Sequence, residues 1–244
     1  MKSLLYHILP TLFILTSTTA CYININDDDF GPSIKGSGHI IVEERALSQF
    51  DHISLEGAID LIIRQGENQK LEIQADDNIV STISTNVRSR ELKIRSTQTY
   101  RSRENVVIFI TLNDLEGLEI RGSGDVYGET IFEGDYLDLE VSGSGNLDLE
   151  IYYDKLSSEI NGSGNFKLEG TTIEQEVSIY GSGDYRAQNL LTNETEVSIS
   201  GSGNSVVSVS DYLRAEIRGS GDVIFYGNPE VSSTIRGSGN LIKR

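Results

Sequence analysis

The motif Gly-Ser-Gly-[Asp/Asn] begins at Gly122, Gly143, Gly162, Gly181, Gly201, Gly219 and Gly237, at spacings of 21, 19, 19, 20, 18 and 18 residues. A near-constant period of this length marks a solenoid, in which each repeat buries its apolar face only against its neighbours. The residue two before each first glycine is Ile120, Val141, Ile160, Ile179, Ile199, Ile217 or Ile235, always β-branched. Leu118, Leu139, Val177 and Val197 stand two earlier, with polar residues such as Glu119, Glu140 and Ser178 between. That alternation is the period of a half-buried strand. A second alternating run follows the motif at Val126, Leu147, Phe166, Tyr185, Val223 and Leu241, and no stretch carries a convincing helical period.

A coil of about 19 residues at ~3.3 Å per residue has a contour of roughly 60 Å, enough to wrap once around a narrow core. The expected fold is therefore all-β, a parallel β-solenoid of short coils of 18–21 residues. Like residues then stack at ~4.8 Å from coil to coil. The glycines either turn a corner with positive φ or face inward where the core narrows. Asp125, Asn146, Asn165, Asp184, Asn204, Asp222 and Asn240 form a structural ladder in register. A calcium roll would need carboxylates at closer intervals, and four of these seven positions are Asn. No metal and no cofactor is expected.

Residues 39–115 carry worn copies of the coil. Leu55, Gly57, Asp60 and Leu61 take the repeat's positions; Leu71–Ile79 does so again, and Leu92–Ser96 more weakly. Solenoids need terminal units unlike the middle ones, so a degenerate β portion at one end fits. The regular solenoid is then 116–244.

Ahead of these lies a targeting segment. Lys2 precedes a mostly apolar run from Leu4 to Leu15, too short to span a bilayer, and then Thr16-Ser17-Thr18-Thr19-Ala20. Residues 1–20 read as a lipoprotein-type signal peptide. Cys21 follows at once and is the only cysteine, so it forms no disulfide within the chain. It is the expected lipidation site, although Thr18 stands where a lipobox usually carries Leu. Residues 21–38, with Asp27, Asp28, Asp29, Gly31 and Pro32, read as a flexible acidic tether. The formal charge is −17, and −18 without Lys2, which excludes nucleic acid as a partner.

The segment Glu44-Arg45-Ala46-Leu47-Ser48-Gln49-Phe50-Asp51-His52-Ile53, then Gly57-Ala58-Ile59-Asp60, then the serial repeats, resembles the head GIN domain family of autotransporter adhesins over about residues 40–244. The resemblance implies a β-helical domain on an exported bacterial protein, often a lipoprotein, and brings no catalytic residues with it. No translocator β-barrel is recognisable, so the expected path is general export plus a lipid anchor. The expected location is the cell envelope, as an outer-membrane lipoprotein; the alternative is a secreted or periplasmic protein.

Enzyme chemistry finds little to use. His39 and His52 are the histidines of the processed chain, and no nucleophile elbow accompanies His52 and Asp51. Coils of 18–21 residues leave no loops to wall a cleft, and there is no Trp to stack a sugar. Two function classes follow. One is a non-catalytic envelope protein, an adhesin or structural domain that binds a surface glycan or protein. The other is a carbohydrate-active β-helix enzyme. The candidate contact surface is the line Arg121, Tyr180, Arg218 and Arg236 before the motif, with Tyr100 and Arg101 in the one long insertion.

Overall fold

The computed structural model describes residues 33–244. The signal peptide, Cys21 and the tether up to residue 32 lie outside the described residues. Strands dominate throughout, with one four-residue helix among the described residues.

The regular coils are β10 to β18 below, but the chain first builds a mixed end. In order come β1 (Ile34–Lys35), β2 (Ile40–Arg45), β3 (His52–Gly57), β4 (Asp60–Gln65), β5 (Lys70–Asp76), α1 (Asp77–Val80), β6 (Ile83–Arg88), β7 (Glu91–Ser96), β8 (Tyr100–Arg101) and β9 (Val107–Leu112). Strands β3 and β4 form the first coil of the parallel stack, and β7 and β9 extend its two sides by one layer. Leu92 sits in register with Ile53, and Ile94 with Leu55, so this weak copy occupies a true repeat position. The copy read at Leu71–Ile79 does not. Strand β5 runs antiparallel to both β2 and β9, and the chain then turns into α1. Strand β6 folds antiparallel onto β7 through Ser89 and Arg90, both at positive φ. These antiparallel strands cover the open edge of a parallel stack, which would otherwise present unpaired N–H and C=O groups.

Residues 33–38 are tied down, in contrast to the tether expected from their composition. Ile34 and Lys35 pair with Tyr100 and Arg101, and the Gly38 N–H donates to Asp76 Oδ1 at 2.5 Å.

From β10 (Gly117–Gly122) on, the wrapping is regular. Strands β11 (Val126–Gly143), β12 (Asn146–Gly162), β13 (Asn165–Gly181), β14 (Tyr185–Gly201) and β15 (Ser205–Gly219) each run one full coil. Strands β16 (Val223–Tyr226), β17 (Glu230–Gly237) and β18 (Leu241–Lys243) complete the last turns. All pairings here are parallel. The β-branched residues and Leu55 form one inner column, Ile94, Leu55, Ile120, Val141, Ile160, Ile179, Ile199, Ile217 and Ile235. Its members are fully buried until the last coil, where Ile235 is 42% exposed.

The two glycines of the motif meet both expectations, one each. The first turns the corner: φ is +132° at Gly162 and +131° at Gly181, a region L side chains avoid. Its carbonyl lies along the stack and accepts two N–H groups from the next coil, as Gly143 does from Ser163 at 2.8 Å and Gly164 at 3.1 Å. The second glycine is buried. A Cβ on Gly164 would stand 2.6 Å from Val141 Cγ1 and would overlap the Gly145 carbonyl. The serine between them is exposed in every coil.

Candidate functional site

Residues carrying the family-like segment turn out to be scaffold. The Arg45 guanidinium donates to the carbonyls of Ile83 (2.6 Å) and Val80 (3.1 Å) and to Thr85 Oγ1 (3.0 Å), tying β2 to the end layer. Phe50 is in the core. Asp51 is buried, accepts from His52 Nδ1 at 2.7 Å and pairs with Arg90. Burial opposes its ionisation, but the bonds from His52 and Arg90 prevail and hold its carboxyl below the usual range. Asp51, His52 and Glu116 bring three ligand-type atoms within 4.8 Å of one another. Both Asp51 oxygens are already engaged, one of them by a guanidinium, so the group is a structural ion pair.

The Asp/Asn ladder is continuous. The Asn146 backbone N–H and Nδ2 both donate to Asp125 Oδ1, at 2.9 and 2.8 Å. Asn165 Nδ2 donates to Asn146, Asp184 N to Asn165, Asn204 to Asp184, Asp222 N to Asn204, and Asn240 to Asp222. Asp60 extends the ladder into the first coil by accepting from Asp125 N. The side-chain oxygens thus serve the next coil's backbone, except Asn146 Oδ1, which accepts from the Asn165 side chain while the Asn165 N–H donates to the Gly145 carbonyl.

Arg121, Tyr180, Arg218 and Arg236 do fall on one line, with Ser142, Asn161 and Ser200 filling the coils between. All four are exposed. Arg121 pairs with Glu119, however, and Arg218 with Glu216 at 2.5 Å. The Arg121 partner Glu119 belongs to a neighbouring acidic row, Glu119, Glu140 and Glu159, on the same sheet. Burial, reinforced by Glu140, raises the Glu119 carboxyl. Tyr100 and Arg101 separate: Arg101 is exposed, while Tyr100 is half-buried against the core.

One concavity lies away from the expected contact line. A groove of ≈ 820 Å³ crosses β12 to β16 on one side of the stack. One row is Tyr152, Thr171, Leu191, Ser208 and Tyr226, consecutive partners in the ladder and all exposed except Ser208, which is buried. Beside it runs a buried row, Tyr153, Thr172, Thr192 and Val209. Beyond that the surface opens again at Asp154, Ile173, Asn193, Ser210 and Asn228. The groove exists because coils of unequal length are stacked. The register slips between Lys167 and Glu169, and again between Ala187 and Leu191 where the longer coil meets the shorter one. The slip leaves Leu190 buried and Leu191 62% exposed. Tyr152 (41%), Ile173 (51%) and Tyr226 (42%) are also large apolar groups open to solvent.

Side chains rather than loops make these walls, which corrects the expectation that short coils supply no cleft. The adjacent pairs Tyr152-Tyr153 and Leu190-Leu191 put an apolar side chain at an outward position, against the apolar-polar alternation, and were the available signal. Under the groove lies a buried polar chain. The Tyr185 hydroxyl donates to Gln175 Oε1 at 2.6 Å, Gln175 Nε2 to Thr195 at 3.2 Å, and Thr195 shares a 2.6 Å bond with Thr192. Tyr153 donates to the Leu115 carbonyl at 2.7 Å. Satisfied groups of this kind hold a wall rigid.

The family described as "Putative auto-transporter adhesin, head GIN domain" matches residues 49–229. No curated protein matches the chain. Among solved structures, a "putative adhesin" from Bacteroides fragilis is 28% identical, with a TM-score of 0.83 over 87% of this chain and 100% of that one. A "putative lipid binding protein" from Parabacteroides distasonis is 26% identical, with a TM-score of 0.74 over 87% and 100%. A "putative adhesin" from Parabacteroides merdae, 24% identical with a TM-score of 0.73 over 88% and 100%, shares the fold.

Proposed function

This chain belongs to the head GIN domain family, and we propose that it is an exported, lipid-anchored and non-catalytic binding domain of the cell envelope. Its target is engaged mainly by the grooved side. The observation that carries the reading is the group of exposed aromatic and aliphatic side chains, Tyr152, Leu191, Ile173 and Tyr226, gathered in one concavity of an acidic protein. Large contiguous apolar patches on a soluble domain mark interaction sites. Asp154 is the one carboxylate lining the groove. Glycoside hydrolysis uses a pair of carboxyl groups across the scissile bond, so the lining supports binding rather than turnover. Export and the anchor rest on the leader and on Cys21.

The experiment has two arms. Cys21→Ser should move the protein from the membrane fraction to the soluble fraction of the cell. Tyr152→Ala with Tyr226→Ala, in the anchored protein, should weaken attachment of cells to their target without lowering surface abundance. Full attachment by the groove variant would shift the contact surface elsewhere, and a soluble wild type with another mature N-terminus would remove the anchor.

A second reading has an observation behind it. One solved relative is described as lipid binding, and Ile173 and Leu191 would suit an acyl chain. Displacement of a fluorescent fatty acid from the soluble domain tests it.

A further inference from the structure

We propose that the groove takes a neutral glycan chain lying along the stack axis; this rests on reading the groove as the binding side. Its two edges differ in chemistry in a way that selects the ligand. One edge presents rings at both ends, Tyr152 and Tyr226, with Leu191 between them. They stand four coil steps apart, or ~19 Å at the inter-strand spacing. The C–H face of a pyranose ring lies flat on such surfaces, because an aromatic face is apolar and carries negative charge density. The other edge offers Asp154, Asn193, Ser210 and Asn228, hydrogen-bonding side chains on four of five coils, with Ile173 interrupting them on β13. A sugar chain has both features along its whole length, an apolar face and a fringe of hydroxyl groups.

Other occupants fit less of this. An acyl chain would cover Leu191 and Ile173 but would desolvate Asp154 and the remaining polar atoms flanking Ile173 without pairing them. An acidic polysaccharide would meet Asp154, and Asp211 beside Asn193, on a chain of net charge −17. Lys243, a cation near this edge, already donates to Asn228 Oδ1 at 2.7 Å, and Lys155 beside Asp154 pairs with Glu174 at 3.4 Å. The buried hydroxyl and amide chain behind the wall keeps the outer rows in fixed register, so the rings and the polar fringe are set before a ligand arrives.

The test uses the soluble domain, residues 22–244, on an array of neutral oligosaccharides (β-glucans, mannans, xylans) and their uronic-acid counterparts, followed by calorimetric titration of the best binder. Binding is expected among the neutral set. Tyr152→Ala with Tyr226→Ala should weaken it at least tenfold, with the melting temperature within about 2 °C of wild type because both rings are exposed. Asn193→Ala should weaken it severalfold. Preference for uronic acids, absence of any neutral binder, or neutral binding untouched by the double variant would each overturn the proposal. If no neutral glycan binds and the double variant still weakens cell attachment, the glycan assignment fails while the groove remains the binding side. If attachment is also unchanged, both fail.

Discussion

A Cβ placed on Gly162 would overlap the carbonyl oxygen of Gly143 in the preceding coil. That carbonyl is where the two coils are joined, since it accepts the N–H groups of both Ser163 and Gly164. Gly162→Ala therefore forces an alanine to φ +132° and pushes the coils apart. Gly164→Ala keeps an allowed backbone but drives a methyl into Val141. Each should cost roughly 2–4 kcal/mol in urea or thermal unfolding. Ser163→Ala, exposed between them, should stay within about 0.5 kcal/mol. Equal losses at all three positions would mean that the corner is not built this way.

Asn204 holds the ladder between two carboxylates. Its backbone N–H and Nδ2 both donate to Asp184 Oδ1, at 3.2 and 3.1 Å, and its own Oδ1 accepts from Asp222 N at 3.0 Å. Asn204→Asp removes the side-chain donor and lines up three acids, so it should destabilise at pH 7 by roughly 1–3 kcal/mol. The new acid would have a raised folded pKa. The penalty is then full above that value and shrinks as pH falls through it. A pH series of melting curves for the two proteins should converge toward acid.

The same ladder bears on calcium. Its oxygens already accept from the next coil, and Asn at four of seven positions lowers the charge a cation would need. Melting curves of the wild type in chelator and in millimolar calcium should coincide; a large upward shift with calcium would make the ladder a metal site.

Asp51 ties the end layer together. Its pKa is lowered below the ordinary 3.8, so its ionisation contributes stability that is fully present above the unfolded value and is lost as pH falls through the folded one. Asp51→Asn should flatten the acid limb of the stability curve below about pH 4. Arg90→Ala should do the same in part, and it also removes the ion pair beside a turn whose two residues sit at positive φ.

The outward line gives a separate test. Replacing Arg121, Tyr180, Arg218 and Arg236 together with Ser should leave the far-ultraviolet circular dichroism unchanged, since exposed ion pairs contribute about 0–1 kcal/mol each. Attachment of cells should weaken if this line is a second contact beside the groove. Unchanged attachment would leave the groove as the whole contact surface.

Ile120, Gly122, Gly124 and Asp125, taken with their six later copies, determined the coil on their own, because strand period, corner glycine and turn side chain all recur at one spacing. Stacking identical units leaves them only one register, so local chemistry and global fold agree. The end layer was less legible. Leu71, Ile73 and Ala75 alternate as a coil strand would, but alternation does not encode strand direction, and β5 runs antiparallel to cover an edge. The grooved side was least legible of all. It depends on how a 20-residue coil sits against 19- and 18-residue neighbours, a mismatch taken up by slips at Lys167–Glu169, Ala187–Leu191 and Thr192–Glu194. Which of Leu190 and Leu191 faces water is decided by where that slack falls. The repeat carries the period of the wall, and only the packing of unequal coils decides where the wall opens.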